Sequence, residues 1–156
     1  MLRFEPVDTP DHALLPVVRQ LFEEYWTELN VDVCFQGFSE ELNTLPGKYA
    51  PPRGVLFVVF KEDHAVACGA LRELDEQTCE LKRIFIRPAH RGTGLGRKIT
   101  VDLMQHGREN GYKLVRLDTL RCLTPARTLY KSLGFQEIPP YNDAGNNDVV
   151  YYERNL

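Results

Sequence analysis

The sequence has no C-x-x-C pair and no cysteine and histidine at metal-ligand spacing. Its four cysteines, Cys34, Cys68, Cys79 and Cys122, lie far apart, which argues against a zinc site or disulfide framework and leaves free thiols. Cys68 and Cys79 fall in strand-like runs, where a thiol serves as a small hydrophobe; Cys122 could instead be reactive. The histidines, His12, His64, His90 and His106, are scattered without a partner for nucleophilic or metal chemistry, so they read as surface residues and no metal is expected. Positive charge is not in excess: 19 Lys and Arg face 22 Asp and Glu, a net charge of −3, which gives no global attraction to nucleic acid or anionic membrane. No apolar run approaches the ~20 residues needed to span a bilayer. The opening Met1-Leu2-Arg3-Phe4-Glu5-Pro6 is charged and broken by proline, unlike a signal peptide. A soluble, cytoplasmic protein with no nucleic-acid or membrane partner is expected, and a homodimer stays open.

What is present suits one core. With 156 residues, 43% of them apolar, the chain reads as a single domain over residues 1–156. Residues 2–7 form a first strand, and Val17, Val18, Leu21, Phe22, Tyr25 and Leu29 recur at helical spacing, with Pro16 at the start and Asn30 as the stop. Ser39 is placed to cap a short helix over 40–45, followed by a loop through Gly54. The continuously apolar run 54–60 predicts a buried strand and opens a three-stranded meander with 65–74 and 79–86. A helix ending near Asn110-Gly111, a strand over 113–119, a helix from Thr124-Pro125 to Gly134 and two closing strands, 135–138 and 149–154, complete the order β-α-α-β-β-β-α-β-α-β-β.

Between the third meander strand and the next helix stands Arg91-Gly92-Thr93-Gly94-Leu95-Gly96-Arg97. At such a junction the first helical amides have no intrahelical partner and the helix dipole is positive, so a diphosphate can be held by backbone N–H groups. Two nucleotide fingerprints fail here. Gly96 is followed by Arg97-Lys98-Ile99 rather than the Lys-Ser/Thr of a Walker loop, and the last glycine of a dinucleotide loop is replaced by Arg97. The stretch resembles instead the [Arg/Gln]-x-x-Gly-x-[Gly/Ala] signature of the GNAT superfamily of N-acetyltransferases, through Arg91, Gly94 and Gly96. A second segment, Ala126-Arg127-Thr128-Leu129-Tyr130-Lys131-Ser132-Leu133-Gly134-Phe135, is similar to that family's late helix.

The resemblance implies an α/β (α+β) fold with a mixed, mostly antiparallel central sheet, and acetyl-coenzyme A as acyl donor. It implies a pyrophosphate held at Arg91, Gly92, Thr93, Gly94, Leu95, Gly96 and Arg97. The pantetheine arm would lie along Ile84, Phe85 and Ile86, where the family splays this strand from the next, and against Ala126 and Tyr130. It also places at Tyr130 the residue that protonates the departing thiolate, with a core tyrosine as the alternative.

Transfer to an amine needs a free nitrogen lone pair, because an alkylamine is almost wholly protonated near neutral pH. Glu80, eleven positions before Arg91, has the spacing at which histone-type members carry their general base; its alternatives are a surface glutamate paired with Lys82, or a water acting instead. Strand parity puts Lys82 on the face of Glu80 and Arg83 on the other, so Lys82 could hold a carboxylate of an amino-acid-like acceptor. Trp26, Lys82, Tyr141 and Asn142 are the acceptor-site candidates, with Phe35 and Phe38 beside them, whereas Tyr25 and Phe22 lie on the apolar helix stripe and read as structural. The expected activity is transfer of the acetyl group of acetyl-coenzyme A to a primary amine of a small molecule. A protein or peptide acceptor, or a non-catalytic acyl-coenzyme A binding module, is the alternative.

Overall fold

The computed structural model describes residues 1–30, 37–142 and 147–156. Phe35 and Cys34 lie outside these residues. In chain order the elements are β1 (Leu2–Pro6), α1 (Leu15–Leu29), α2 (Phe38–Asn43), β2 (Val55–Lys61), β3 (His64–Glu73), β4 (Thr78–Ile86), α3 (Leu95–Glu109), β5 (Leu114–Leu120), α4 (Thr124–Ser132), β6 (Gln136–Ile138) and β7 (Val149–Asn155). This is the expected order. The periodic patterns did not foretell two short 3₁₀ turns, at Gly47–Tyr49 and Pro88–His90.

All seven strands form one sheet in the order β1-β2-β3-β4-β5-β7-β6. Every neighbouring pair is antiparallel except β4 and β5, which are joined by the crossover helix α3. Both faces of the central strands are covered. On one face Ile99, Leu103 and Met104 of α3 and Tyr130 of α4 pack with Leu71, Cys79, Leu81, Val115 and Leu117. On the other, Val18, Leu21, Phe22 and Trp26 of α1 and Phe38 and Leu42 of α2 pack with Val58, Cys68, Ala70 and Phe85.

Two local expectations are corrected. The αL residue Gly37, rather than Ser39, precedes α2, with no side-chain cap, and Ser39 lies within the helix. The buried stripe of α1 runs through Leu15, Val18, Phe22 and Trp26, rotated from the stripe that ended on Tyr25 and Leu29. Trp26 follows Phe22 by one helical turn and therefore points the same way. It stacks on Phe38 with ring centroids 3.9 Å apart.

Candidate functional site

The site begins where β4 and β5 part. Their parallel pairing covers only Thr78–Glu80 against Leu114–Arg116. From Leu81 to Ile86, β4 remains paired with β3 on one side but has no strand partner on the β5 side among the described residues. The neighbouring segment of β5, Leu117 to Leu120, is paired only with β7. The gap is a narrow cleft lined by Lys82, Ile84, Leu117, Asp118 and Thr119. Tyr25 of α1 and Tyr130 of α4 both line it, so it passes through the sheet from one helical layer to the other.

A bulge sets the chemistry of its β4 wall. The β3–β4 register slips between Cys68 and Ala70, and Arg83 takes a left-handed conformation with φ +58°. An extra residue in a strand breaks the strict alternation of side chains. Arg83 accordingly does not oppose Lys82 across the sheet as simple parity predicts. Its guanidinium forms a two-pronged pair with Glu41 of α2 at 2.8 and 2.9 Å and lies over the rings of Trp26 and Phe38.

Glu80 sits at the apex of the split. Its side chain is wholly buried, accepting a hydrogen bond from Arg72 Nε at 2.8 Å and one from the Tyr141 hydroxyl at 2.6 Å. The partner of Glu80 is thus Arg72, its cross-strand neighbour on β3, and not Lys82. Lys82 reaches across the split to Asp118 of β5 at 3.4 Å. Asn142 Nδ2 donates to the other oxygen of Asp118 at 3.4 Å, and Asn142 Oδ1 accepts from the Tyr151 hydroxyl at 2.7 Å. Tyr141 and Asn142 therefore close over the same end of the cleft. Burial, and then the charge of Glu80, push the Tyr141 phenol well above its ordinary value, so it remains a proton donor.

Tyr130 approaches from the opposite face, packed edge-on against Phe135. Its hydroxyl makes no hydrogen bond among the described residues, and burial pushes the phenol well up. Ala126 lies one turn earlier on α4 and is partly buried against the same core. Tyr25, expected to be structural, lines the cleft, tilted against Phe85, and its phenol is pushed up to about 12 by burial. Trp26 is a correction in the other direction: it is 1% exposed inside the core, so it offers no face to a ligand there.

β4 runs on to the glycine segment. Gly92 and Gly94 have φ of +75° and +86°, and a Cβ added at either meets nothing within 4 Å, so the backbone there is open to an approaching group. Gly94 precedes α3, whose N-terminus has no side-chain cap. The Leu95, Gly96 and Arg97 amides consequently present the unpaired donors of a helix start. Arg91 turns away from them, its Nε bonded to the Ile86 carbonyl at 2.8 Å and its two terminal nitrogens to Glu28 of α1 at 2.7 Å each. Thr93 donates its hydroxyl to the His90 carbonyl, and Arg97 donates to Ser132 at 3.2 Å. Among the described residues no cluster of His, Cys, Asp or Glu could hold a metal, and no helix is long and apolar enough to cross a membrane.

This arrangement is matched by the sequence pattern of the acetyltransferase (GNAT) family over residues 15–135. The chain belongs to that family. It is therefore an enzyme of the acetyltransferase class. An uncharacterized N-acetyltransferase of Schizosaccharomyces pombe is 37% identical over 136 residues, covering 85% of this chain and 83% of the relative. The uncharacterized N-acetyltransferase YjgM of Escherichia coli is 33% identical over 141 residues, with 88% and 82% covered. A GNAT-family acetyltransferase of Staphylococcus aureus superposes with a TM-score of 0.82 at 19% identity, covering 100% of this chain and 99% of that one, a likeness of fold. In this acetyltransferase the residues that sequence reasoning missed are Arg72, Asp118 and Tyr25. The first two are visible only through strand pairing, and the third only through the rotation of α1.

Proposed function

We propose that the protein transfers the acetyl group of acetyl-coenzyme A to the primary amine of a small molecule, directly and without an acyl-enzyme. The observation that carries this reading is the unpaired β4 edge from Leu81 to Ile86, which leads from the cleft to the open amides of the glycine loop. Acetyl-coenzyme A supplies an activated thioester, a diphosphate and an arm carrying two amides. The Leu95, Gly96 and Arg97 amides suit the diphosphate, and the backbone groups of Ile84 to Ile86 on the side facing β5, other than the Ile86 carbonyl held by Arg91, suit the amides of the arm.

The residues around the cleft divide the remaining work. Nitrogen–carbon bond formation accompanies carbon–sulfur cleavage, so the nitrogen must lose a proton, while the sulfur leaves as a thiolate that a hydrogen bond can stabilise and that takes its proton from solvent water. Glu80 is too deeply buried to meet the acceptor directly, but the Tyr141 hydroxyl bonded to it could take a proton from the amine while passing its own to the carboxylate. Tyr130, with its high phenol pKa and unused hydroxyl, suits a hydrogen bond to the departing sulfur more than complete proton transfer, since a thiol is a stronger acid than this phenol. The narrowness of the cleft, closed at one end by Tyr141 and Asn142, supports a small acceptor over a peptide.

The test is thiol release from acetyl-coenzyme A with a panel of small amines and a lysine peptide. Release that depends on a small amine is expected. Cofactor binding without release on any acceptor would overturn the proposal.

A further inference from the structure

Four ion pairs surround the polar end of the cleft, and three are closely held. Arg72 meets Glu80 at 2.8 Å, Arg83 meets Glu41 at 2.8 Å, and Arg116 meets Glu153 at 3.1 Å. Each of these three is a guanidinium on a carboxylate, and Arg83 grips both oxygens of Glu41. The fourth, Lys82–Asp118, differs in every respect. It is a point charge at 3.4 Å, it bridges two strands that no longer hydrogen-bond, and both side chains line the cleft itself. Its members retain 17% and 22% exposure, so a small molecule can reach them, yet both are largely withdrawn from water. The only other hydrogen bond to the Asp118 side chain among the described residues, from Asn142, is equally long.

A ligand entering here meets two opposite charges, each lightly held by the other. A plain amine could displace Lys82 from Asp118, but would leave the lysine ammonium partly desolvated and without its partner. Losing one member of such a pair costs far more than exchanging both. A molecule with its own adjacent ammonium and carboxylate meets both charges at once. An α-amino acid carries these groups one carbon apart, in the compass of a contact ion pair.

Resting on the acetyltransferase reading above, we propose that the acceptor is an α-amino acid, bound by exchange of the Lys82–Asp118 pair: its amino group on Asp118, its carboxylate on Lys82. Tyr25 and Tyr130 line the same cleft as the pair. Arg72, Arg83 and Arg116 keep their own carboxylates throughout.

The experiment compares acetylation of L-α-amino acids with that of their decarboxylated amines and their carboxamides. The wild-type enzyme is expected to favour the amino acids in kcat/KM by tenfold or more. Lys82→Met should raise KM for amino acids by about ten- to hundredfold, the worth of a hydrogen bond to a charged group, and should lower KM for the decarboxylated amines, which no longer strand a lysine ammonium, so that the preference is lost or reversed. Lys82→Arg should restore most of the preference. Equal or better turnover of the decarboxylated amines by the wild-type enzyme would overturn the proposal while leaving the acetyltransferase reading intact, and this comparison decides the matter even if a variant fails to fold. Absence of transfer to every amine would overturn both.

Discussion

Tyr130 has two roles that its burial alone would not separate, since a buried tyrosine is usually a core residue with a satisfied hydroxyl. Here the ring is in the core, the residue lines the cleft, and its hydroxyl makes no hydrogen bond among the described residues. Tyr130→Phe should therefore leave the thermal midpoint within about 2 °C of wild type, because no internal hydrogen bond is lost. The same change should lower kcat by about ten- to hundredfold, the worth of a hydrogen bond to a developing thiolate, at unchanged affinity for coenzyme A. Steady-state kinetics with calorimetric binding checks both, and a fully active variant would make the residue purely structural. At this scale the sequence was legible where a motif fixed the position, as for Tyr130, and misleading where only spacing was available. Trp26 and Tyr25 exchanged roles because a helix of 15 residues with apolar side chains on more than one face does not declare which edge of the stripe is buried.

Among the elements, the strand-to-helix passage from β4 to α3 joins the cleft to the open amides. Gly94 lies there with φ +86°, and Gly111 after α3 has φ +85°; a Cβ meets no atom within 4 Å at either. Replacing either by alanine thus imposes the same left-handed strain, about 1–2 kcal/mol, without a steric clash in the free protein. Gly94→Ala should weaken coenzyme A binding severalfold as well as lower stability, whereas Gly111→Ala should lower stability alone. Parallel titrations with coenzyme A separate the outcomes, and equal affinities would remove the loop from the cofactor site. The elements themselves were legible because strand and helix periodicities and terminal Gly and Pro are local properties. The bulge at Arg83 was not. A bulge depends on the register against β3, and it is this slip that turns Arg83 toward Glu41 and leaves Lys82 to face Asp118.

For the molecule as a whole, the sheet carries one buried thiol in each of its two cores: Cys79 with α3 and Cys68 with α1 and α2. Burial pushes both from an ordinary 9.0 up to about 12, and pushes Tyr25 from 10.0 to about 12. A folded-state pKa above the unfolded value means that the folded chain keeps protons which the unfolded chain has already released. The stabilisation is complete below about pH 9 and is lost progressively as the pH rises toward 12. Stability against urea should accordingly fall between pH 8.5 and pH 10.5, before any loss of secondary structure without denaturant. Over the same range neither Cys68 nor Cys79 should react with a thiol reagent in the native protein, whereas the exposed Cys122 should. Because the two thiols sit on opposite faces of a single sheet, cooperative unfolding should expose them together. Peptide mapping across the urea transition tests this: modification of Cys68 well before Cys79 would mean that the α1–α2 layer detaches from the sheet on its own, taking the Tyr25 wall of the cleft with it.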